Sequence, residues 1–215
     1  MPHAFSDGIR RVLSAPLILL SAAVLSLSSP LYPNTASRRI LFEFVLVGSF
    51  LTGGIIDRYA RMRPTRATGF FGACGRHFGA TLRLAAIEIL LCLAVDNLPI
   101  PVSGAVAAIV VVNMFMTFAR VRLVVEDRRS ALGACAAAWR FVTRNPAAAA
   151  IYIVWLIPMM VSLLYARGAA PIFLLPLYAS AVSLFQSRLA HAGYAAAPPV
   201  EWPESPAAEA IANRR

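Results

Sequence analysis

The sequence contains no lysine, so all 20 of its basic residues are arginine, and charged residues of both signs make up only 14% against 59% hydrophobic. With a mean hydropathy of +0.69, that scarcity excludes both an ordinary soluble domain and a disordered chain. A polytopic membrane protein is the expected class. Cysteine is also sparse: Cys74, Cys92 and Cys135 are odd in number and lack metal-ligand spacing, which excludes a disulfide framework and leaves free thiols. Histidine occurs at positions 3, 77 and 191, far apart and outside any metal or protease motif. No Ser-His-Asp set, HExxH, phosphate loop or CxxC pair occurs, so no reaction, cofactor or metal is expected.

What the chain has in abundance is apolar runs. Six are long enough to be read as spans, at about 12–28, 40–56, 84–98, 102–119, 147–166 and 171–187, where a crossing needs about 20 apolar residues. The run at 84–98 is short for this purpose. The first run follows Arg10-Arg11 as in a secretory signal, but it ends in SLSSPLYP without a small-residue cleavage site, so it is expected to be retained. Glu43 lies four residues after Arg39, where a local ion pair at the membrane edge is expected. From Gly193 the runs stop and prolines accumulate, giving a single membrane domain over 1–192 and a mobile tail over 193–215.

Arginines alternate between connections. Six fall between the second and third runs, six between the fourth and fifth, and two before the first, whereas the remaining connections carry two, none and one. The positive-inside rule then places both termini and both arginine-rich connectors in the cytoplasm. The net charge of +10 lies between apolar runs rather than on a soluble domain, so the expected anionic partner is lipid headgroups rather than nucleic acid. Arginine-only, alanine-rich usage suits a GC-rich bacterial genome, so the spans are expected in a bacterial inner membrane. A membrane-protein partner or a homo-oligomer remains open.

Both connectors carry an amphipathic pattern. At 68–83, Phe71, Cys74, Phe78 and Leu82 share one helical face and Arg76 and Arg83 point away; at 130–144, Leu132, Cys135, Trp139 and Val142 share a face opposite Arg129, Arg140 and Arg144. Ser130 is placed to cap the second helix and Asn145-Pro146 to open the span after it. The expected architecture is therefore all-α: six spans plus two interfacial helices on the cytoplasmic side, with Arg76, Arg83, Arg129, Arg140 and Arg144 as candidate anionic-lipid contacts. The connectors also match at an offset of 61 residues, Gly72-Ala73-Cys74 against Gly133-Ala134-Cys135 and Arg83 against Arg144. This offset suits a parallel duplication, though part of the match is expected by chance in an alanine- and glycine-rich chain.

The order span, arginine-rich connection, VVEDRRSALGACAAAWRFVTRNP, span resembles a set of bacterial six-helix membrane proteins similar to the membrane domain attached to some glycerophosphodiester phosphodiesterases. Val125, Glu126, Asp127, Ala134, Trp139, Arg140 and Asn145 carry the likeness, which extends over about 70–190. It implies a membrane architecture and no reaction.

Two polar residues fall inside apolar runs, where a carboxylate costs several kcal/mol unless paired or wetted. Glu88 lies near the middle of the third run and Asn113 near the middle of the fourth, at similar depth on antiparallel neighbours. One reading is a proton- or ion-linked site in a small transporter or permease subunit; the other is a hydrogen-bonded interhelical contact. Glu126-Asp127 before Arg128-Arg129 is read as local salt bridging at a helix start.

Overall fold

The structure is a computed structural model that describes residues 2–15, 18, 37–62, 67–165 and 170–191. Most of the expected first span and the tail at 193–215 lie outside these residues. Seven helices and no strands are found among the described residues: α1 (Pro2–Leu13), α2 (Ser37–Arg61), α3 (Ala67–Asp96), α4 (Val102–Val125), α5 (Ala131–Arg144), α6 (Pro146–Tyr165) and α7 (Ala170–His191). Residues Met1–Phe185 form one compact unit; in the second, Gln186–Arg215, the described part is the end of α7. The described set includes three helices long and apolar enough to cross a membrane, at Ala67–Asp96, Val102–Val125 and Ile172–Leu189, and a fourth if α5 and α6 count as one broken span. Helix α2 covers the expected second span, but the side chains of 37–44 lie outside the described set, as does the expected Arg39–Glu43 pair.

The first connector departs from its expected form. Instead of an interfacial helix at 68–83 followed by a span at 84–98, α3 is one 30-residue rod, about 45 Å long at 1.5 Å per residue. No proline interrupts it, and its buried face, Ala73, Cys74, His77, Thr81, Leu84 and Ala85, runs unbroken across the expected junction. That face packs on α2 through Gly53 and Gly54. A Cβ on Gly53 would stand 2.8 Å from Cβ of His77, and one on Gly54 would collide with Sγ of Cys74. Thr81 seals the contact, its hydroxyl donating to the Ser49 carbonyl at 2.7 Å. Phe50 meets Phe71 and Phe78 at ring separations of 6.4 and 5.8 Å, so these phenylalanines flank the contact while His77 and Thr81 occupy its centre.

Helix α4 also outruns its expected end at 119, taking Arg120 and Arg122 into the helix. Both guanidiniums have acceptors there: Arg120 pairs with Glu88, and Arg122 reaches Glu126 at 2.9 Å and the Ala137 carbonyl at 2.9 Å. The charges are met in place, so the helix continues past them. Glu126 is held between Arg122 and Arg128, which puts the expected local salt bridging at the end of α4 rather than at a helix start.

Ser130 caps α5, its hydroxyl accepting from the Gly133 amide at 3.2 Å. The buried face of α5 is Ala131, Ala134, Ala137, Ala138 and Val142, not the expected Leu132–Cys135–Trp139–Val142 face. Leu132 and Trp139 are 73% and 58% exposed, although Trp139 stacks on Phe115 at 4.5 Å. Small side chains allow α4 and α5 to approach closely, which larger ones at the same positions would prevent. Three positions 61 residues apart, Ala73 and Ala134, His77 and Ala138, Thr81 and Val142, are buried in both α3 and α5, so the repeat offset keeps helical phase.

At Asn145 the chain turns by 96° into α6. A residue before proline is pushed out of the helical region, and Asn145 adopts φ −129° and ψ 87°. Its side chain closes α5 by donating to the Phe141 carbonyl at 2.9 Å; α6 opens on its backbone carbonyl, which accepts from Ala148 at 2.9 Å. The expected side-chain cap of the following helix is thus a cap of the preceding one.

The N-terminal residues form an element that was not expected. Helix α1 turns Ala4, Gly8 and Arg11 inward. A Cβ on Gly8 would stand 2.8 Å from the backbone nitrogen of Ser180 in α7. Phe5 stacks on Trp155 at 5.0 Å, and Arg11 donates to the Tyr59 carbonyl at 2.8 Å.

Candidate functional site

Glu88 and Arg120 form an ion pair between α3 and α4, with side chains only 12% and 17% exposed. Side chains on a helix lean toward its N-terminus, so on antiparallel helices Glu88 and Arg120 lean toward each other and can close a difference in level. Tyr178 of α7 and Tyr152 of α6 stand near enough to the pair to interact with it electrostatically. Four helices therefore converge on one guanidinium–carboxylate pair. Mutual charge neutralisation is what lets the pair be tolerated there.

Asn113 is elsewhere engaged. Its amide donates to the Ile109 carbonyl one turn back in α4 at 3.0 Å, and its own carbonyl accepts from Thr117 at 2.8 Å. The two polar residues singled out in the apolar runs thus differ in role: Glu88 bridges helices and Asn113 bonds within its own. The partner of Glu88 is Arg120, which run length alone places in a connector. Its only legible signal was an arginine directly after an apolar run, and that is also the mark of a membrane boundary.

A second cluster was missed. His77 is buried in α3, with Nε2 3.8 Å from Oδ1 of Asp57 on α2 and Nδ1 3.9 Å from Oδ1 of Asp127 in the α4–α5 turn. Asp57 also accepts from Arg61 at 2.8 Å. Nε2 of His77 is buried without a hydrogen-bond partner. No spacing rule connects residues 57, 77 and 127; only the packing does. Among the described residues no cluster of His, Cys, Asp and Glu has the form of a metal site.

Ten of the described arginines separate by whether a carboxylate meets them. Arg11, Arg61, Arg120, Arg122 and Arg128 each meet a carboxylate. Arg76, Arg83, Arg129, Arg140 and Arg144 are exposed. Among the described residues, no carboxylate partner is found for this second set. Arg83 and Arg129 come together, Arg83 donating to the Arg129 carbonyl at 3.4 Å.

Comparison with protein families, curated proteins and solved structures finds no match to this chain. The likeness to the membrane domain of glycerophosphodiester phosphodiesterases rests on the residues quoted for it alone.

Proposed function

We propose that the chain is a bacterial inner-membrane protein that crosses six times with both termini in the cytoplasm, and that it has a structural or accessory role exercised through anionic lipid. The observation that carries this reading is the division of the arginines. Arg120 and Arg122, inside the bundle, are neutralised by carboxylates, whereas Arg76, Arg83, Arg129, Arg140 and Arg144 are exposed and lack one among the described residues. Each such arginine beside an anionic leaflet contributes about 1 kcal/mol of attraction. The right-angled bend after α5 supports a helix lying along the membrane surface before a span descends from it. Helix α5 then has three flanks: an alanine face on the bundle, Leu132 and Trp139 toward acyl chains, and Arg140 and Arg144 toward headgroups.

A role for Glu88 and Asn113 in transport, as a small transporter or permease subunit, is the less favoured reading. Glu88 is held by Arg120, and Asn113 by its own helix, an arrangement that suits interhelical cohesion.

The test is reconstitution in phosphatidylcholine bilayers with none or about 30 mol% phosphatidylglycerol, scored by resistance to unfolding. Anionic lipid is expected to raise resistance, less so in high salt and less so when the five arginines are changed to glutamine. Equal resistance in both bilayers would end the lipid reading.

A further inference from the structure

His77 is the one described histidine whose two ring nitrogens each face a carboxylate, and those carboxylates come from different parts of the chain. Asp57 sits in the last turns of α2 and Asp127 in the α4–α5 turn, at 3.8 and 3.9 Å. Neutral imidazole has a single N–H and can donate to only one of them; imidazolium has two and can donate to both. The distances exceed a charge-assisted hydrogen bond by about 1 Å, and buried Nε2 has no partner. This is the arrangement of a site with room for one more proton.

We propose that His77 is a proton-binding clasp. When it takes up a proton from water, Asp127 closes onto the imidazolium while Asp57, held by Arg61, faces its other nitrogen, and the α4–α5 turn is tied to the α2–α3 pair.

The surroundings determine which part moves. The base of the imidazole is held, because Gly53 lets α2 come so near that even a methyl there would stand 2.8 Å from His77 Cβ. Asp57 is fixed by Arg61 at 2.8 Å. Asp127 is the free member: its side chain is 78% exposed, it lies in a turn, and its backbone is left-handed with φ 49°. The turn is therefore the part that swings. Burial, the largest influence, holds His77 below the ordinary imidazole range in the open arrangement; Asp57 and Asp127 pull the other way, and Arg76 and Arg61 add to the lowering. The carboxylates act more strongly as they approach, so protonation and closure reinforce one another. The ligand is a proton from bulk water: an O–H bond of hydronium breaks as the second N–H bond of the ring forms, water leaves, and nothing is oxidised or reduced.

The chain has three histidines, so a histidine-selective ¹⁵N-labelled sample in bilayer discs gives a small set of signals, with His77 assigned by its loss in His77→Gln. Imidazole protonation is followed from about pH 8 to about pH 5. Amide exchange of residues 126–130, corrected for its intrinsic pH dependence, is measured over the same range. The expected result is that His77 gains a proton below neutrality and that the turn exchanges about tenfold more slowly as it does so. In Asp127→Asn, a substitution the left-handed backbone accepts, the slowing should vanish while His77 still titrates at lower pH. The clasp is overturned if His77 stays neutral throughout, if exchange in the turn is unchanged or quickens in acid, or if Asp127→Asn slows as much as the parent. Should His77→Gln fail to fold, the signal that shifts in Asp127→Asn identifies His77 and the same outcomes apply.

Discussion

Removing one partner of the Glu88–Arg120 pair strands a charge among apolar helices. Glu88→Ala or Arg120→Ala is expected to cost about 3–5 kcal/mol, measured by detergent-induced unfolding in mixed micelles, whereas Glu88→Leu combined with Arg120→Met should cost far less than the two single changes added. A double variant as damaged as that sum would mean the two side chains act independently. Glycines give a sharper contrast because their neighbours differ. Gly53→Ala forces α2 off His77 and should lose about 1–3 kcal/mol. Gly75→Ala meets nothing within 4 Å and should gain up to about 1 kcal/mol from helix propensity. At this scale the sequence was partly readable. Glu88 stood out because a carboxylate in an apolar run is unusual, but its partner did not, because an arginine after such a run also marks a membrane edge. His77 offered no signal, since the groups that face it lie 20 and 50 positions away in the chain.

At the scale of helices, the break at Asn145-Pro146 was legible because it follows from proline geometry. The inward face of α5 was not. Lipid tails and protein interior are equally apolar, so hydrophobicity does not separate Leu132 and Trp139, which face outward, from Ala134 and Ala138, which face the bundle. Side-chain size is the better guide in a bilayer. The helix at 68–83 reads as running into the third span, but its depth in the bundle does not: Arg76 and Arg83 suggest a surface connector, and both are exposed on a helix whose opposite face stays packed throughout. If α5 lies along the surface, Trp139 fluorescence should be quenched more by lipids brominated near the headgroup than by those brominated at the chain end. Subtracting the spectrum of Trp139→Phe removes the other tryptophans. Stronger quenching at the chain end would place α5 across the membrane instead.

For the molecule as a whole, an all-helical architecture and the presence of membrane-length apolar helices follow from composition and run length alone. The number of crossings does not, because a run of about 17 residues serves equally as a short span or as half of a bent pair. Topology separates these directly. Single cysteines at Met62, Ile100 and Asp127 in a cysteine-free background should react with an impermeant maleimide so that 62 and 127 label from one side of the membrane and 100 from the other. Residues 62 and 127 labelling from opposite sides would remove the six-span arrangement and the proposed placement of both arginine-rich connectors in the cytoplasm.

The 30 residues of α3 outlast a hydrocarbon layer about 30 Å thick, and Arg83 stands partway along the rod. If α3 crosses the bilayer, the helix works as a gauge: with longer acyl chains, Arg83 would be drawn below the phosphates unless the rod tilts or the bilayer pinches around it. The protein should favour thin patches of membrane, and lengthening the lipids alone, with headgroup charge unchanged, should loosen the arginine end of the bundle first.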